Sequence, residues 1–173
     1  MAVTGLFGKL PAHGDFVRRG LPEPFVEAWD SWVQEGLAAA REALGEGFAE
    51  AWAAAPAWRF RLPPGACGAE AAAGVVLASE DMVGRRFPLA VATLLSDGEP
   101  APCAGWYEDI AAAMLAARDG GETADRLLAA LPLWPWGGED APAEGWWMAA
   151  DLRWDLPGLP PAEQFRVLVE GGG

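Results

Sequence analysis

Residues 74–95 read GVVLASEDMVGRRFPLAVATLL. Two apolar runs, Gly74 to Ala78 and Leu89 to Leu95, enclose a polar stretch, Ser79 to Leu89 (SEDMVGRRFPL). Each run is short, continuous and rich in Val and Leu, the pattern of a buried strand. The stretch between them carries four charges, Glu80, Asp81, Arg85 and Arg86, beside the Ser79 hydroxyl. Gly84 and Pro88 mark it as a connection, and a connection of about ten residues between adjacent strands makes a long hairpin. The pair therefore predicts an α/β chain of the α+β type: one domain with a mixed or mainly antiparallel central sheet flanked by helices. The polar stretch reads as a surface connector, or as opposed charges held in fixed geometry for a purpose.

Upstream, Trp58, Phe60 and Leu62 alternate with Arg59 and Arg61, the period of a half-buried strand. Before it, LPEPFVEAWDSWVQEGLAAAREALG is the clearest helix. Phe25, Trp29, Val33 and Leu37 recur every four residues, with Trp32, Ala40 and Leu44 beside them. Pro24 suits its first turn and Gly45 its end. A short helix follows from Phe48 to Ala55, stopped by Pro56. At the N-terminus, extended pieces near Gly5 to Leu10 and Asp15 to Arg18 flank a turn over Pro11 to Gly14, and His13 reads as an exposed residue of that turn.

Downstream, Trp106 to Arg118 forms a helix ended by Gly120 and Gly121, and Thr123 is the expected N-cap of ADRLLAAL. Trp134 and Trp136 lie in a Pro, Gly and Trp mixture expected to be an ordered loop that covers the core or meets a partner. Trp146 to Trp154 (WWMAADLRW) reads as one further strand. A closing helix starts at Pro161 and turns Phe165, Leu168 and Val169 inward.

With 52% hydrophobic residues and ten Trp in 173, the chain has enough apolar surface for a core without staples. The formal net charge of -13 opposes binding to phosphate backbones, so no nucleic-acid partner is expected. No apolar run is long enough to span a membrane and the N-terminus lacks a leader pattern, which predicts a cytoplasmic protein without membrane insertion. Two cysteines, Cys67 and Cys103, are too few for a disulfide framework, and His13 is the sole histidine, so no metal site or cofactor is expected. Asp15, Asp81 and Asp151 are weak candidates for a hard cation.

No phosphate-binding glycine loop, nucleophile elbow or paired-histidine motif is present. On residues alone a binding or regulatory role is the default, and no enzyme is expected. The rival is a small hydrolase or phosphate-handling enzyme built on His13, Asp15, Asp81 and Arg85, which requires those side chains to converge on one pocket.

These residues carry a resemblance. GLFGKLPAHGDFVRRGLPEPFVEAWDSWVQEGL is similar to the opening signature of the TagF (ImpM) family of type VI secretion system-associated proteins. WRFRL, VGRRFPLAVA and GLPPAEQF resemble later signatures, in order along nearly the whole chain. Where the family reads Pro-Ser-x-Asp-x-Val-Gly-Arg before Phe-Pro-Leu, Ala78 replaces the proline, while Ser79, Asp81, Val83, Gly84, Arg85, Phe87, Pro88 and Leu89 remain.

The resemblance implies a post-translational repressor of the type VI secretion system. Its implied partners are components of that apparatus, above all the forkhead-associated scaffold protein, and its action opposes the threonine-phosphorylation pathway that activates firing. Some relatives carry a fused phosphatase domain, for which this chain is too short. The family-motif and candidate interaction residues are Lys9, His13, Asp15, Arg18, Ser79, Asp81, Gly84 and Arg85.

Overall fold

The computed structural model describes residues 3–132, 140–149, 152–156 and 158–171. Seven strands form one sheet in which every neighbouring pair is antiparallel: β1 (Val3–Gly8), β2 (Val17–Arg19), β3 (Trp58–Leu62), β4 (Ala71–Leu77), β5 (Leu89–Leu95), β6 (Gly145–Ala149) and β7 (Leu152–Trp154). Their order across the sheet is β2-β1-β5-β4-β3-β6-β7. The expected mainly antiparallel α+β sheet is therefore present, with the hairpin of β4 and β5 at its centre.

The continuous apolar runs of that hairpin follow from helices on both faces of the sheet. Along β5, Ala90, Ala92 and Leu94 face one core, and Leu89, Val91 and Leu95 face the other. The first core is closed by α1 (Glu23–Leu44), α2 (Phe48–Ala54) and the short C-terminal α5 (Arg166–Glu170). The second is closed by α3 (Ala104–Gly120) and α4 (Ala124–Ala130). In β3 the alternation separates functions: Trp58, Phe60 and Leu62 enter the first core, while Arg59 reaches Glu108 of α3 on the other face at 2.7 Å.

Helix α1 lays Phe25, Trp29, Trp32, Val33, Leu37 and Ala40 on the sheet, as its period requires. At Gly36 a Cβ would collide with the Phe165 ring, so glycine lets the C-terminal segment pack directly on the helix backbone. Three of the buried indoles on this face find backbone acceptors for their N–H groups, while Trp29 Nε1 has no hydrogen-bond partner among the described residues. Trp32 donates to Pro160, Trp58 to Leu168 and Trp146 to Gly158, each bond 2.8–2.9 Å.

Two expectations are corrected. Strand β4 begins at Ala71, before Gly74, because β3 supplies partners as far as Leu62, which faces Ala72. The run Trp146 to Trp154 is two strands: β7 folds back on β6 across a register shift between Trp147 and Ala149. Trp146 and Trp147 fill opposite cores, whereas Ala149 and Leu152 are exposed, so the second half has no helical layer to bury it. Trp134, Trp136 and Asp151 lie outside the described residues.

Candidate functional site

The connection between β4 and β5 lies at the end of the sheet where β1 exits, because β1 runs antiparallel to β5 and Phe7 faces Ala90. The approach is close: a Cβ on Gly8 would strike the Pro88 carbonyl oxygen. This juxtaposition brings Lys9 and the Pro11–Gly14 turn against Ser79–Pro88.

The loop is built around Asp81. Its own N–H donates to the Arg85 carbonyl at 3.0 Å, and its carbonyl accepts the Gly84 N–H at 3.0 Å. Gly84 has φ 84°, the left-handed position that closes a three-residue hairpin loop. A bridge pairs Glu80 with Arg86 just outside the loop.

The buried Asp81 carboxylate gathers four donors. Oδ1 accepts the backbone N–H groups of Val83 and Arg85, each at 3.0 Å. Oδ2 accepts Arg85 Nε at 2.7 Å and faces Lys9 Nζ at 3.2 Å. Burial alone would push this carboxyl up. The bonds from the Arg85 backbone and guanidinium, Lys9 and Val83 outweigh it and hold the group well below the usual carboxylate range. A carboxylate so occupied has no free lone pair for proton transfer. It acts as a fixed anion that sets the loop's shape.

The loop is anchored on every side. Met82 N–H donates to the His13 carbonyl at 2.8 Å, and Arg85 Nη2 donates to the Gly14 carbonyl at 2.7 Å. The Ser79 carbonyl accepts both Phe87 N–H and Trp52 Nε1, and the Ala78 carbonyl accepts Arg118 Nη1. Beside Lys9, the rings of Phe7, Phe16 and Phe87 contact one another with centroids 4.8–5.8 Å apart, and Lys9 Nζ lies 4.8 Å from the Phe16 centroid. At its tip the scaffold presents apolar side chains, Met82 at 64% exposed and Val83 at 71%, flanked by the exposed charges of Glu80, Arg85 and Arg86.

Of the residues singled out from sequence, Lys9, Asp81, Gly84 and Arg85 form one assembly, with Ser79 at its base. His13 joins it through its backbone. Its side chain turns away: Nε2 accepts the Ala124 N–H at 3.0 Å and caps α4, so His13 is a half-buried brace rather than a free turn residue. Asp15 is exposed and accepts the N–H of Phe16. Arg18 donates to the Leu21 carbonyl. Of the constellation of His13, Asp15, Asp81 and Arg85, only Asp81 and Arg85 meet through their side chains; His13 reaches the loop through its carbonyl, and Asp15 is spent on the Phe16 N–H. Among the described residues no group of three or more His, Cys, Asp or Glu side chains is placed to hold a metal ion. None of the described helices is long and apolar enough to cross a membrane.

Trp52, Arg118 and Phe16 are additions that sequence reading missed, and Phe87, read only as a motif position, joins the site as well. Phe87 carried a local signal as the apolar residue before Pro88, while Trp52 and Arg118 reach the loop only through tertiary packing.

Residues 5–133, which contain the whole assembly, match the TagF N-terminal domain, described as type VI secretion system-associated. The chain belongs to the TagF family. The crystal structure of PA0076 from Pseudomonas aeruginosa PAO1, at 2.05 Å resolution, superposes with a TM-score of 0.83. It is 33% identical, and the alignment covers 98% of this chain and 95% of that one. No match to a curated protein was found. Membership in TagF places the chain among type VI secretion system-associated proteins.

Proposed function

We propose that this TagF chain, acting as a single unit over residues 1–173, is a post-translational negative regulator of the type VI secretion system. It works in the cytoplasm by binding a component of the apparatus, with the forkhead-associated scaffold protein as the leading partner. The observation that carries the reading is the Asp81 loop: a buried, fully bonded carboxylate spends its capacity on holding Met82 and Val83 out to solvent. A preorganised apolar tip binds without a large ordering cost, which suits recognition better than turnover. The acidic surface, with a net charge of -13, would steer the chain toward a basic partner face.

The test is a deletion strain complemented with wild-type or loop-variant protein, with secretion assayed beside crosslinking of the tagged chain. Repression by the wild type with a crosslink to the scaffold protein supports the reading. Unchanged secretion, or crosslinks confined to proteins outside the apparatus, sinks it.

A further inference from the structure

Next to the Asp81 loop, between β1 and the outer side of α1, lies a groove of about 280 Å³. Phe7, Phe16 and Val26 line it with apolar surface, and Glu27, Asp30 and Gln34 complete it. Phe16 is 44% exposed yet fixed, since it stacks on Phe7 and meets Phe87 edge-on. Asp30 holds Gln34 through Oδ2, and Glu27 has no ion-pair partner among the described residues. On the strand side, Arg18 stands opposite Phe7 with its Nε bonded to the Leu21 carbonyl, and Lys9 lies against the Phe16 ring and shares Asp81 with Arg85.

The charge on the helical wall of the groove is one-sided. From Glu23 to Ala54, the layer of α1 and α2, there are seven carboxylates (Glu23, Glu27, Asp30, Glu35, Glu42, Glu46, Glu50) and one basic residue, Arg41. Arg41 is drawn to the far end, over the Phe48 ring. An exposed aromatic facing the carboxylates of the helical wall matches a cationic side chain with a long apolar stem. The stem lies along Phe16 and Val26, and the head group reaches Glu27 and Asp30. The groove is smaller than the usual metabolite pocket, which suits one or two side chains of a protein segment.

We infer that this groove binds a basic segment of a protein partner, an Arg or Lys next to an apolar residue. The inference rests on the reading of the chain as a binding protein and names the partner's chemistry. The probe is a short fluorescein-labelled peptide of alternating Leu and Arg, titrated into the full chain by anisotropy, with an alternating Leu and Glu peptide for comparison. Glu27→Lys should weaken binding about tenfold. Glu42→Lys makes the same change in net charge at the other end of α1 and should leave affinity within about twofold.

Phe16→Ala should weaken binding as well, and because Glu27 is exposed, its variant keeps the test independent of folding. Equal losses for Glu27→Lys and Glu42→Lys, equal binding of the acidic peptide, or an unaffected Phe16→Ala would overturn the groove. In the secretion assay, repression retained by Glu27→Lys but lost by Met82→Asp would overturn it while leaving the regulator reading intact. If the wild type itself does not repress, the regulator reading falls, and the peptide titration still decides the groove.

Discussion

Lys9 Nζ faces Asp81 Oδ2 at 3.2 Å from inside the protein, whereas Arg85 approaches the same oxygen at 2.7 Å from the surface. The Lys9 side chain is 10% exposed and that of Arg85 62%. The two cations are therefore unequal partners of one carboxylate, since water can replace the guanidinium but has little access to the ammonium site.

Lys9→Ala should lower the melting midpoint by about 4 °C or more, and Arg85→Ala by less than half as much. Arg85→Ala retains its backbone N–H bond to Oδ1, which further limits its cost. Differential scanning calorimetry of the two variants checks the ranking. A larger loss for Arg85→Ala would mean that the exposed bond dominates.

Acid should affect the loop in a defined window. The Asp81 carboxyl is held below its ordinary value of 3.8, so its stabilisation is fully present above that pH. It is lost as the pH falls from there through the lower folded-state value. Asp81→Asn should thus melt below wild type at neutral pH, with the gap closing as the solution is acidified beyond about pH 4. A gap that stays constant down to pH 3 would show that the charge itself contributes nothing.

The two glycines at this end of the sheet should differ in cost. Gly84→Ala meets open space, its nearest neighbour being Glu80 Oε2 at 3.9 Å, and so pays only for the left-handed backbone, about 1–2 kcal/mol. Gly8→Ala adds a collision with the Pro88 carbonyl and should cost clearly more. Urea unfolding with an unchanged m-value measures both. Equal costs would show that β1 can move away from Pro88.

Met82→Asp and Val83→Asp should stay within about 0.5 kcal/mol of wild type in stability, because both side chains are exposed. Under the proposed regulator role, each should reduce repression of secretion. Full repression by the double variant would remove the loop tip from the interface.

The parts legible in sequence are those governed by local pattern. The four-residue recurrence of Phe25, Trp29, Val33 and Leu37 fixes α1, and Thr123 caps α4 by accepting the Arg126 N–H as expected. Gly84 and Pro88 announce the hairpin connection. Its bracing was not legible, because Lys9 meets Asp81 only when β1 pairs with β5, a choice made by the whole sheet. His13 misled for the same reason: a histidine in a glycine and proline turn looks exposed until α4 is packed against it. The break inside WWMAADLRW was hidden because the apolar run outlasts the helical layers, so composition continued where burial did not.

The outermost strands of the sheet, β2 and β7, are each three residues long, and both carry arginine, Arg18 and Arg19 on one and Arg153 on the other. Such margins offer an incoming chain too few unpaired peptide groups for strand addition. For the proposed regulator, contact with a partner would fall to side chains on the helical layers and the loop end, where one substitution could change a partner without disturbing the register of the sheet.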